Sequence, residues 1–283
     1  MAPRSNPTAR QVRLGAELRK LREAAGLKAR EVAAFLDSTS AQMSQMEAGI
    51  SGVSAERVRR LTTHYGCSDE AFVDALAAMA SERSRGWWSE YRDVLPQVNM
   101  DVAEAEHHAT FLNEVVITYV PGLLQTPDYA RAVFRYMRPE LEESQLTPRV
   151  EHRMRRRQII EGDKPTPYET VVHEFALRIR VADRQTSVSQ LRLILDEIEK
   201  GRATVRVIPV DQDGFAGADA SMMYMGGPLP KLDTGLLDAP TGTLFIDDEA
   251  HLSHLRTLFR TVRGASLDPS ASRDFIHRLA KEL

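Results

Sequence analysis

Apolar residues in the first eighty positions recur at helical spacing, broken at short intervals by residues that cap helices. Leu14, Leu18, Leu21 and Ala25 follow one another at four, three and four residues, one stripe of an amphipathic helix that Gly26 ends. Val32, Ala33 and Leu36 mark a second short helix from about Lys28, and the tight connection Asp37-Ser38 leads to Thr39, an N-cap for a third helix over Ser40–Glu47. In that third helix Met43 and Met46 lie three apart and share the inward face, which leaves Ser40, Ala41, Gln42, Ser44 and Gln45 outside. Ala48-Gly49 supplies its stop. Ser54 caps a fourth helix with Val58, Leu61 and Tyr65 inward, and Ser68 a fifth with Phe72, Leu76 and Met79 inward. Two short helices meeting through a short turn inside a five-helix unit predict an all-α helix-turn-helix domain over residues 1–80.

Residues 81–86, SERSRG, are polar and predict a linker, and the pattern then changes. Helical spacing over 101–110, 128–137, 146–160, 188–200, 247–263 and 269–283 alternates with β-rich runs over 115–120, 168–173, 203–210, 221–225 and 243–246. Without a strict strand-helix-strand repeat, the class predicted for residues 87–283 is a larger mixed α+β domain with a small sheet, so the chain as a whole is α+β. The cluster Trp87, Trp88 and Tyr91 predicts an anchor to a core or to a second subunit.

Length and composition agree with two soluble domains: 283 residues, 42% hydrophobic, enough to fill real cores. No apolar run is long enough to span a bilayer and MAPRSNPTAR has no apolar signal core, so a cytoplasmic location is expected. The lone Cys67 excludes a disulfide framework and a zinc knuckle. A net charge of −3 argues against nucleic acid until its distribution is read. Residues 1–30 hold eight Arg or Lys against two Glu, a net of +6, which leaves −9 for the rest. A basic head on an acidic body fits a DNA-binding end joined to a part with another task. The outward glutamines suit that end, because a Gln side chain can make two parallel hydrogen bonds to an adenine edge in the major groove.

The pattern LRKLREAAGL, then EVAAFL, then TSAQMSQMEAG resembles the phage-repressor (XRE-like) helix-turn-helix family across roughly residues 8–80. The resemblance implies a structural ion pair between Arg22 and Glu47, base reading by Ser40, Ala41, Gln42 and Gln45, and phosphate contacts at the start of the second helix, at Lys28 and Ala29 with Arg30 beside them. Relatives often carry Gln at the position of Ala29 and basic residues at those of Gln42 and Gln45, so here affinity has to come from Lys28, Arg30, the N-terminal arginines or dimerisation. The segments WWSEYRDVLP, VPGLLQTPDYARAV, VRVIPVDQDGFAG and LFIDDEAHLSHLRTLF together resemble the WhiJ-like C-terminal domain that follows such heads in actinomycete regulators. That resemblance implies transcription control and a small BldB-like partner protein; the expectation for this chain is a homodimer on double-stranded DNA whose C-terminal domain binds such a partner protein or a small-molecule effector. Some members are antitoxin-like, and an interaction module with only secondary, autoregulatory DNA binding is the alternative.

Other constellations carry less. Asp247, Asp248, Glu249, His251 and His254 lack zincin spacing, and acids before a helix are good caps, so no metal ligand is assigned. His107 and His108 are neighbours that point to different faces. His152–Arg157, HRMRRR, predicts a solvated face with local pairing. The stretch Asp211–Ser221 does not match a phosphate loop and predicts a mobile connection. Its Gly214, Phe215 and Gly217, with Met223 and Tyr224 following, form the candidate partner or effector loop. No nucleophile-base arrangement follows from spacing, so no catalytic residue and no cofactor is assigned.

Overall fold

The computed structural model describes residues 6–82, 86–213, 220–239 and 242–283. It divides into two compact units, residues 1–89 with 97–105, and residues 90–96 with 106–283. Trp87–Ser89 and most of the helix after Pro96 therefore group with the N-terminal unit, whereas the composition change alone points to a start of the second part at Trp87.

In the first unit, α1 (Ala9–Ala24), α2 (Ala29–Phe35), α3 (Ser40–Glu47), α4 (Ala55–His64) and α5 (Glu70–Ser81) follow in order. Thr8 caps α1 in a reciprocal box with Gln11, and Gly26 ends it in the left-handed region at φ 70°. Leu14, Leu18, Val32, Ala33, Leu36, Met43, Met46, Val58, Leu61, Tyr65, Phe72 and Leu76 are buried. Ala25, read as part of the inward stripe, is exposed, because it is the cap residue where the chain leaves the helix. The cap of α5 is Asp69, whose carboxylate accepts from Phe72 N at 3.1 Å, and not Ser68. Helix α6 (Gln97–His107) meets this unit through Asp101, whose carboxylate accepts from Ala9 N at 3.1 Å and sits where the α1 dipole favours an anion.

The second unit is built on a mixed six-stranded sheet: β1 (Leu112–Val116), β2 (Tyr168–His173), β3 (Thr204–Ile208), β4 (Met222–Met225), β5 (Thr234–Ala239) and β6 (Gly242–Ile246), in spatial order β3-β2-β1-β4-β5-β6. β1, β2 and β3 run parallel, while β4, β5 and β6 add antiparallel neighbours. Strand β5 is not among the predicted runs, since TGLLDA has only two adjacent leucines between turn-type residues. Helices α7 (Pro127–Met137), α8 (Glu143–Arg156), α9 (Gln158–Glu161), α10 (Glu174–Arg178), α11 (Arg184–Glu199), α12 (Glu249–Ala265) and α13 (Pro269–Glu282) surround it. α12 closes one face: Leu252, Leu255, Phe259 and Val262 pack on Val115, Val171, Ile208, Met222 and Tyr224. Because side chains alternate along a strand, Leu112, Glu114, Val116, Tyr168, Thr170, Met223 and Met225 point to the other face. Among the described residues no helix is long and apolar enough to cross a membrane.

Candidate nucleic-acid interface

The turn between α2 and α3 is held by the backbone. Asp37 takes φ 50°, a conformation an Asp side chain tolerates, and Ser38 N donates to Ala33 O at 2.9 Å. Thr39 Oγ1 then accepts from Gln42 N at 3.2 Å while Gln42 Oε1 accepts from Thr39 N at 3.1 Å and from Ser38 Oγ at 2.7 Å. Gln42 is thus half of a capping box, with its carbonyl oxygen occupied and its Nε2 donors pointing onward. Gln45 Oε1 accepts from Ser51 Oγ at 3.2 Å, which leaves it one lone pair besides its amide donors. Ser40, Ala41, Gln42 and Ser44 are exposed and Gln45 is half-buried. The outer face of α3 carries no charge.

Behind that face, α3 is locked to α1. Arg22 Nε donates to Glu47 Oε1 at 2.6 Å, Nη2 to Glu47 Oε2 at 2.9 Å, and Nη1 to Leu27 O at 2.8 Å, and both side chains are under a tenth exposed. The two helices touch through backbone: a Cβ on Gly15 would clash with the Glu47 carbonyl oxygen, and one on Gly49, at φ 74°, would lie 2.8 Å from the Gln11 carbonyl group. Both glycines are required by close approach.

Charge looks different here from the tally over residues 1–30. Arg10 pairs with Glu82, Arg13 and Lys20 with Glu17, Arg19 with Glu23, and Arg22 with Glu47. Lys28 and Arg30 are exposed, and their side-chain cations make no ion pair among the described residues, although the Lys28 backbone N–H donates to Glu31 Oε2 at 2.8 Å. The half-buried Arg57 and the exposed Arg60 on α4 add to them, Arg60 lying 5.7 Å over the ring of Phe35, itself stacked on His64 at 3.9 Å. In the sequence these α4 cations stand in the ERVRRL run, between the apolar positions Val58 and Leu61 that mark the buried side.

The remaining candidates fall elsewhere. Gly214, Phe215 and Gly217 lie outside the described residues. Met223 and Tyr224 are both buried but on opposite faces of β4, and Tyr224 bonds Asp233 beneath α12. Asp248 caps α12 by accepting from Ala250 N and His251 N, with His251 Nδ1 2.9 Å away. The HRMRRR run is not a solvated face: His152 is buried against Tyr91, Arg156 makes a two-toothed pair with the fully buried Glu106, and Arg157 pairs with Glu161 and Glu197. Only Arg155 behaves as a surface group, on Glu90. A helix wheel cannot reveal this, since Glu106 and Glu197 come from distant elements.

Burial within this polar interior raises Glu114, which accepts from Tyr168 Oη, to a pKa of about 7. Below its ordinary value of 4.5 both folded and unfolded chains hold the proton. As pH rises from there to about 7 the unfolded chain releases it first, so Glu114 draws stability down across that window and the loss is complete above it. His152, pushed to about 3 by burial and by Arg156, Arg153 and Arg155, acts in the opposite sense, its stability being lost as pH falls from 6.5 toward 3. Glu114→Gln is expected to be more stable than the parent by about 3 kcal/mol at about pH 8, the gain shrinking toward zero at about pH 4. Urea unfolding at both pH values checks this, and a gain independent of pH would mean that Glu114 titrates normally.

Comparison with protein families places a helix-turn-helix domain at residues 13–76 and a domain of unknown function (DUF5753) at residues 100–278. No curated protein and no solved structure matches the chain.

Proposed function

Since the chain belongs to the DUF5753 family and carries a helix-turn-helix domain ahead of that region, we propose that it is a sequence-specific transcriptional regulator of the phage-repressor type, with a WhiJ-like C-terminal domain that receives the controlling signal. The observation that carries this reading is the exposed, uncharged, hydrogen-bonding face of α3, held at a fixed angle by Arg22–Glu47 within the residues matched as helix-turn-helix. Ser40, Ala41, Gln42 and Gln45 read base edges, and Lys28 and Arg30 hold phosphates. With both lone pairs of Gln42 Oε1 engaged inside the protein, its Nε2 group offers donors that suit guanine O6 or N7, whereas Gln45 keeps an acceptor beside its donors and suits adenine. Two heads of a homodimer would reach half-sites about 34 Å apart in the cytoplasm of an actinomycete.

Gln45→Ala is expected to cost about 1–3 kcal/mol on the selected operator and little on random DNA, measured by fluorescence anisotropy. Lys28→Ala should weaken both and reduce the salt slope by about one unit. Equal loss for Gln45→Ala on both DNAs, or an unchanged slope for Lys28→Ala, removes that residue from its role. The internal pairing of most N-terminal arginines favours a second reading, an antitoxin-like module bound chiefly to a small BldB-like protein, with DNA binding confined to autoregulation. Co-purification with such a partner, together with no DNA site above non-specific affinity, would establish that reading instead.

A further inference from the structure

The sheet face opposite α12 carries buried polar side chains that neither the apolar core nor the DNA-reading head accounts for. Strand alternation puts Glu114 and Thr170 in one row with Met223, and Tyr168 beside them donates to Glu114. α8 brings two arginines to this region. Arg156 is satisfied by Glu106, which contributes both oxygens. Arg153 is different. Its Nη1 donates to Gln125 Oε1 at 2.9 Å and its guanidinium lies 4.7 Å from the centroid of the Phe134 ring, yet no carboxylate of the described residues pairs with it. Its Nε and Nη2 have no protein acceptor among the described residues and are not sealed from solvent, the side chain being half-buried.

This cation is held on a rigid frame. Gln125 Nε2 donates to Val120 O at 2.7 Å, Val120 N donates to Tyr129 Oη at 3.1 Å, and Gln190 bonds both Leu124 O and Thr126 N. The VPGLLQT phrase is thus a bonded platform, and Gly122 within it is where Arg153 lies close, since a Cβ there would stand 3.3 Å from Nη1. The half-buried Tyr119 is within electrostatic reach of Arg153, and its hydroxyl has no hydrogen-bond partner among the described residues. Desolvation, then Arg156, draws the Arg153 pKa down to about 10, which an anion alongside it would reverse.

We propose that Arg153, held by Gln125 and Phe134 beside Gly122, binds a small organic acid whose carboxylate takes its open Nε–Nη2 edge in a two-toothed pair. That this acid is the signal the regulator responds to rests on the function proposed above; the binding itself does not.

The test uses the full-length protein, the arginine reagent phenylglyoxal with peptide mapping by mass spectrometry, and sodium benzoate as probe against sodium chloride of equal ionic strength. Arg153 is expected to be labelled several-fold faster than Arg156, and benzoate to slow Arg153 saturably without slowing exposed Arg30. The thermal stabilisation benzoate gives the parent should vanish in Arg153→Lys, whose ammonium keeps the charge but lacks the fork. Labelling of Arg153 no faster than Arg156, or equal slowing of Arg153 and Arg30, overturns the site. Protection of Arg153 with operator affinity unchanged overturns its assignment as the signal while leaving DNA binding intact. Loss of operator binding in the untreated protein counts against the function alone.

Discussion

Arg22→Met is expected to destabilise the N-terminal unit by about 3–5 kcal/mol, because it leaves the Glu47 carboxylate buried without the guanidinium that satisfies both of its oxygens. Loss of the Leu27 carbonyl's donor adds to this at the turn after α1. For a domain of this size a change of that order lowers the melting temperature by about 12 °C or more. Arg22→Met with Glu47→Leu should recover most of the loss, since two apolar side chains of similar volume can replace a buried pair at little cost. Calorimetry on the four proteins of the cycle measures the coupling directly. A melting temperature for Arg22→Met within two or three degrees of the parent (about 0.5 kcal/mol) would show that the pair is not what holds α3. Operator binding should follow the same order as stability, because the angle of α3 depends on this contact.

A comparable effect is expected in the second unit from Glu106→Ala. Arg156 would then face the sheet with no carboxylate on its Nε and Nη2, again at a cost of about 3–5 kcal/mol. Glu106→Gln is expected to cost less, since it keeps an acceptor for one donor. This position also carries a second signature. Beyond the dominant effect of burial and the Tyr168 hydrogen bond, Glu106 raises the Glu114 pKa and Arg156 lowers it. With the Glu106 charge gone, Glu114 should ionise at lower pH, and the window in which it costs stability should narrow from its upper end. Chemical denaturation of Glu106→Gln across that range tests this, and an unaltered pH profile would mean that the two carboxylates do not sense each other.

Much of the N-terminal unit is written in local order. Thr8, Thr39 and Ser54 cap the helices whose apolar spacing follows them, and Met43 and Met46 turn inward as a three-residue step requires. Strands β2 and β3 and the paired methionines of β4 are visible for the same reason, as β-branched or alternating runs. Asp69 displaced Ser68 as a cap because either residue can accept the orphan amide, and only the path of the chain selects between them. Strand β5 escapes notice because its partners β4 and β6, rather than its own composition, make it a strand.

What the amino-acid order determined by itself is the helix-turn-helix head, its uncharged outer face and the α+β character of the rest, all of which follow from periods of a few residues. Tertiary structure decided which charges remain available. An arginine is neutralised by whichever carboxylate folding brings to it, and Glu47, Glu82, Glu106 and Glu197 arrive from other elements. A count over thirty residues therefore overstated the positive charge of the head, and most of HRMRRR, expected at the surface, turned inward, with Arg153 held by Gln125 but paired with no carboxylate among the described residues.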